Sequence, residues 1–173
     1  MINYMRHTHR PRRVAAFVAE SVNVHQLQTA SEALQRHNRR AVLVSDQHAL
    51  LRGYNGSAEI NFAVAETTDE IEPNAYDALV LMEGAAKLPN SATKLAKQFG
   101  DAGKPVVALT GSAPLLSDIS GQDTSPGDTT ASAIVDGELY EVTDSDADWK
   151  ILDAIAEKLK ALQETRQPER AGA

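Results

Sequence analysis

The chain has 173 residues, of which 42% are hydrophobic and 24% charged, with a formal net charge of −7. That is enough for one compact domain with its own core, and it excludes a wholly disordered chain. The absence of cysteine excludes disulfides, thiolate metal sites and a cysteine nucleophile. It also fits a reducing compartment, so a cytoplasmic protein is expected.

No apolar run reaches the roughly 20 residues of a membrane-spanning helix, so no membrane partner is expected. The acidic balance argues against a nucleic-acid surface, because phosphate contacts need a clustered positive face. The basic cluster Arg6, Arg10, Arg12 and Arg13, with His7 and His9 between, sits at the start and reads as a solvated leader. The expected organisation is a leader over 1–12, one domain over 13–166 and a frayed tail over 167–173.

In chain order, Arg13 to Ala19 is a nearly continuous apolar run, as in a strand buried on both faces. Asn23 follows as a helix N-cap with Gln26 three residues on, in capping-box spacing. Val24, Leu27, Ala30, Ala33 and Leu34 then recur at helical intervals. Ala41 to Ser45 is a second buried strand, and a helix joining two such strands implies a right-handed parallel crossover. Tyr54-Asn55-Gly56-Ser57 reads as a hairpin turn.

Tyr76 to Met82 is a third strand closing on Glu83-Gly84, and Pro89 to Gly103 is a helix-compatible stretch. Lys104 to Leu109 is a fourth strand, entering the small-residue turn Thr110-Gly111-Ser112-Ala113-Pro114. Ser117 to Ser132 reads as a mobile loop. Asp136-Gly137 marks a hairpin between Ser132–Val135 and Glu138–Val142. Trp149, Leu152, Ile155, Ala156, Leu159 and Leu162 make an amphipathic terminal helix. The alternation predicts an α/β fold with a doubly wound, mainly parallel sheet and helices on both faces. Ligands of such sheets gather at the carboxyl ends of the strands, which brings Glu20-Ser21, Glu83-Gly84 and Thr110-Gly111-Ser112 together.

Other constellations are weaker. His25, His37 and His48 lack metal-ligand spacing, and no metal is expected. Asp144, Asp146 and Asp148 alternate as in a calcium loop, but the glycine and bidentate glutamate are missing, so they read as acids at a helix start. No phosphate-binding glycine pattern is present, and no cofactor is expected.

The order of these motifs, with "YDALVLMEG" closing one strand and "GKPVVALTGSAPLL" entering a nucleophile elbow, resembles the ThiJ/PfpI superfamily, whose members are class I glutamine amidotransferase-like and flavodoxin-like in fold. Catalytic members carry a cysteine at the elbow, a Pro-Gly-Gly type turn after the third strand, and a glutamate on the early helix. This sequence has Gly111 at the cysteine position, with Thr110 and Ser112 one residue to either side. Met82-Glu83-Gly84 replaces the turn, and Gln26 stands where the glutamate is expected. Glycine and glutamine can neither supply nor tune a thiolate. No histidine follows the elbow to serve a serine there.

"KPVVALTGSA", "SAIVDGE" and the Trp-containing helix also look like the C-terminal domain of large-subunit catalases, which similarly lacks the cysteine. The resemblance implies a pseudoenzyme, with Gln26, Glu83, Gly84, Thr110, Gly111 and Ser112 lining a degenerate pocket. Its expected role is assembly, stability or chaperone-like association with a protein client, as a homodimer presenting Leu115, Leu116 and the terminal helix. The alternatives are a small-molecule binding protein using this pocket, and a hydrolase or glyoxalase-like enzyme with Ser112 or Thr110 as nucleophile.

Overall fold

The computed structural model describes residues 12–122 and 130–171, with side chains through residue 162. Residues 1–11 of the basic leader and much of the expected loop therefore lie outside the described residues, while Arg12, expected to end the leader, already belongs to the first strand. Among the described residues ten strands alternate with four α-helices. The strands are β1 (Arg12–Phe17), β2 (Val22–Asn23), β3 (Arg39–Ser45), β4 (Leu50–Asn55), β5 (Ala58–Ala63), β6 (Glu66–Thr67), β7 (Leu79–Leu81), β8 (Val106–Ala108), β9 (Thr130–Val135) and β10 (Glu138–Thr143). The helices are α1 (Val24–Gln35), α2 (Pro89–Asp101), α3 (Pro114–Ser120) and α4 (Ala147–Ala171). The last runs past Gln167, into the segment expected as a tail.

The main sheet has the order β10-β9-β8-β7-β1-β3-β6. Its centre is parallel: β1 pairs with β3 and β7, and β7 with β8. The β9–β10 hairpin closes one side in antiparallel sense. That reversal needs no crossover helix, and it follows from the Asp136-Gly137 turn, whose residues both take positive φ, +53° and +81°.

Continuous apolar strands are expected where both faces are covered, and β1 shows the division. Val14, Ala16 and Val18 join Ala30, Ala33 and Leu34 of α1 and Ile151, Leu152 and Ile155 of α4 in one core. Ala15 and Phe17 face Leu95 and Phe99 of α2 and Leu116 of α3 in the other. Each Val, Leu, Ile or Phe among them contributes about 1.5 to 3 kcal/mol and each Ala about 0.8, so the two layers hold the central strands from both sides.

Three expectations are corrected. Ser117 to Ser120 ends α3 and Thr130 to Ser132 begins β9, so both ends of the expected loop are ordered elements. A seven-residue helix started by Pro114 carries too little apolar periodicity to be read from sequence. Leu116 is fully buried and Leu115 packs against the same core, so neither presents a docking surface. Finally, the hairpin turns on Gly56-Ser57 rather than Asn55-Gly56, since Asn55 still pairs with Ala58 in the β4–β5 ladder. Gly56 alone of these takes positive φ (+64°), as the first central residue of a type II′ turn does. The hairpin forms a separate small sheet with β2.

Candidate functional site

The carboxyl ends of β1, β7 and β8 converge as expected. After β8 the chain turns through Thr110-Gly111-Ser112-Ala113 into Pro114 at the start of α3. Gly111 takes a φ of +96°, a conformation open to glycine and strained for any other residue. A side chain there would also lack room, because a Cβ on residue 111 would stand 2.7 Å from Glu83 Cγ and 3.3 Å from Glu83 Cβ. The elbow is present as a backbone shape, and a side chain at 111 would have to displace that of Glu83. The following Gly84 allows this turn to approach β1, since a Cβ there would lie 3.1 Å from Ala19 N.

Gln26 ties the elbow to the rest of the pocket. Asn23 Oδ1 accepts from Gln26 N at 3.0 Å, as the N-cap reading requires. The Gln26 side chain does not close the capping box, however. It crosses to the strand ends, where Oε1 accepts from Glu83 N at 2.7 Å and Nε2 donates to Thr110 O at 3.0 Å and Asp148 Oδ2 at 3.2 Å. Gln26 is itself buried, and its amide finds these partners at the strand ends, which outweighs an exposed cap bond. Asn23 Nδ2 donates in turn to Glu83 Oε2 at 2.6 Å.

Asp148 is the residue that sequence reasoning misplaced. Asp144 does serve the start of α4, accepting from Asp146 N at 2.7 Å. Asp148 instead reaches across to the elbow, where Oδ1 accepts from Thr110 N at 2.8 Å and Oδ2 from Thr110 Oγ1 at 2.8 Å. Among the described residues its hydrogen-bond partners are neutral donors. No spacing signal could have shown this, because the partners lie 38 positions apart.

Six sequence-predicted pocket residues thus fall in one region, but not in one role. Gln26, Glu83, Gly84, Thr110 and Gly111 adjoin one another at the strand ends. Ser112 is fully buried beneath them, its hydroxyl directed to Leu81 O at 2.9 Å and Leu109 O at 3.1 Å. It holds the turn onto β7 and cannot be approached as a nucleophile. Thr110 borders two openings, one of about 220 Å³ shared with His25, Asp146 and Trp149, and one of about 420 Å³ shared with Glu83, Lys87 and Gly111. Among the described residues no three His, Cys, Asp or Glu side chains are grouped to hold a metal ion. His37 instead bonds Asp153 at 2.7 Å. No described helix is long and apolar enough to cross a membrane.

Solved structures share this architecture. A ThiJ/PfpI domain protein from Brachyspira murdochii is 11% identical with a TM-score of 0.62, over 89% of this chain and 96% of that one. The putative protease I from Bacteroides thetaiotaomicron is 17% identical with a TM-score of 0.59, over 86% and 99%. A two-domain protein with DJ-1/ThiJ/PfpI-like and ferritin-like domains from Anabaena variabilis is 15% identical with a TM-score of 0.51. There the match spans 63% of this chain and 32% of that one. At these identities the likeness is one of fold. None of the curated proteins matches the chain. Residues 12–135 match the model of the DJ-1/PfpI family, and with the elbow and strand order described above the chain belongs to that family.

Proposed function

We propose that this chain is a non-catalytic DJ-1/PfpI domain that works by association, as a homodimer supporting assembly, stability or the holding of a protein client in the cytoplasm. The observation that carries the reading is the exchange at the elbow. Where the superfamily pattern has a cysteine above a glycine turn, this chain has Gly111 above Glu83, and the Glu83 side chain stands where a Cβ at 111 would be. The pocket's polar groups bond to one another, as a structural latch does. The catalase-appendage resemblance supports the same role.

Exposed apolar side chains are available for association on the outer face of β4, where Leu50 is 67% and Tyr54 53% exposed. Light scattering with a heated-client aggregation assay tests this. A dimer or larger assembly that suppresses aggregation is expected, and a strict monomer that leaves the client unprotected would sink the reading.

One observation favours a second, enzymatic reading: Thr110 Oγ1 donates to a carboxylate at 2.8 Å, the geometry of a nucleophile and its base. A carboxylate is a much weaker base than imidazole, and Asp148 Oδ2 is shared with Gln26. Covalent labelling by a hydroxyl-directed phosphonate, lost in Thr110→Val, would establish this alternative; the association reading expects no labelling.

A further inference from the structure

A third opening, of about 370 Å³, lies beyond the elbow over the carboxyl ends of β1 and β3. Its apolar lining is Ala19, two residues past β1, Leu51 of β4, and Leu88, which caps the 3₁₀ turn that follows β7. Its rim is charged and of both signs. Lys87 follows β7 and Asp46 follows β3, so the two come from strands on either side of β1. The opening borders the junction where the chain's crossovers reverse direction, since β1 leads outward to β3 while β7 leads to β8 on its other side. Crevices at such reversals are where open α/β sheets take ligands.

The two rim charges are differently committed from their neighbours. Glu20 is neutralised by Arg52, whose Nε donates to Glu20 Oε1 at 2.9 Å. Lys87 Nζ donates one bond, to the backbone oxygen of Glu20 at 3.2 Å; its charge lowers the Glu20 carboxyl pKa only after that of Arg52, and among the described residues it forms no ion pair within 4 Å. Asp46 is half-buried and accepts no side-chain hydrogen bond among the described residues. Ser45 beside it is turned inward, donating to Val18 O at 2.7 Å. A cation and an anion that do not satisfy each other therefore share the opening with this apolar lining.

We propose that this cleft binds a small zwitterion with an aliphatic chain, of the free α-amino-acid class. Its carboxylate meets Lys87, its ammonium meets Asp46, and its side chain lies on Ala19, Leu51 and Leu88. The zwitterion is favoured over a simple anion or cation because either alone would leave one rim charge desolvated and unpaired. The site is separate from the elbow, and the association proposed above does not depend on it.

Calorimetric titration of the full chain with L-leucine tests the assignment, with L-leucinamide (no carboxylate) and isocaproate (no ammonium) as matched probes. L-leucine is expected to bind, and each probe about tenfold or more weaker, the loss set by one charge-assisted hydrogen bond. Lys87→Met and Asp46→Asn should each weaken L-leucine by a similar factor while melting close to the parent, and Thr110→Val should leave binding unchanged. Three results would overturn the proposal: no L-leucine binding, either probe binding as well as L-leucine, or loss of binding in Thr110→Val with Lys87→Met unaffected.

Discussion

Replacing Gly111 by alanine sets two structural costs against a general benefit. At a permissive site, Gly→Ala stabilises by about 0.4 to 1 kcal/mol through the unfolded chain. Here the φ of +96° adds backbone strain, on the order of 1 to 2 kcal/mol for a non-glycine residue. The new Cβ also falls 2.7 Å from Glu83 Cγ, so that side chain must swing away and give up its bond from Asn23, about 0.5 to 1.5 kcal/mol. The net expectation is a loss of about 0.5 to 3 kcal/mol, centred near 2, which for a chain of this size lowers Tm by roughly 1 to 12 °C. Urea denaturation monitored through Trp149 reads it directly. In a Glu83→Gly background the crowding is gone, and Gly111→Ala should cost about 1 kcal/mol less, an interaction that a double-mutant cycle isolates. A neutral or stabilising Gly111→Ala, or the same cost in both backgrounds, would refute the idea that Glu83 crowds position 111.

Asp148→Ala leaves Thr110 N and Gln26 Nε2 short of an acceptor and should cost about 2 to 3 kcal/mol, measurable by chemical denaturation. Gln26→Glu introduces the acid that the superfamily resemblance leads one to expect, but sets it beside Asp148 and Thr110 O, both acceptors. It should destabilise by about 3 kcal/mol or more, and a variant as stable as the parent would show the network is looser than drawn. Burial, and next its hydrogen bond to Glu66, push the Tyr76 phenol from 10.0 up to about 12. The folded state then keeps a proton that the unfolded chain releases between pH 10 and 12, so stability falls as pH rises through that window. Tyr76→Phe should remove that fall, which paired pH-denaturation series would show.

The central strands were legible because each is covered on both faces and therefore written as an apolar run. The Asn23 cap was legible because it is local. What escaped the sequence was tertiary. Gln26 fits a capping-box template, yet its side chain bonds Thr110, 84 positions away. Asp148 sits in an acidic helix start like its neighbours, and nothing local separates the one that crosses to the elbow. Ser112 looked like a pocket residue because small polar residues in a turn read alike. Which of them points inward depends on how Gly111 bends the chain.

The elbow also constrains how the missing cysteine should be understood. A side chain at 111 and the side chain at 83 compete for the same volume, so the non-catalytic reading proposed above ties the glycine at one position to the glutamate at the other. Restoring only the thiol should therefore fail in a specific way. Gly111→Cys places the sulfur against Glu83, whose carboxylate disfavours the reactive thiolate as well as crowding it. With no other cysteine in the chain, reaction with Ellman's reagent reports on this thiol alone. Gly111→Cys should react slowly, and Gly111→Cys with Glu83→Gly several times faster while recovering part of the lost stability. Equal rates in the two variants would mean that Glu83 yields freely and that the cysteine's absence alone, rather than the paired exchange, separates this chain from its catalytic relatives.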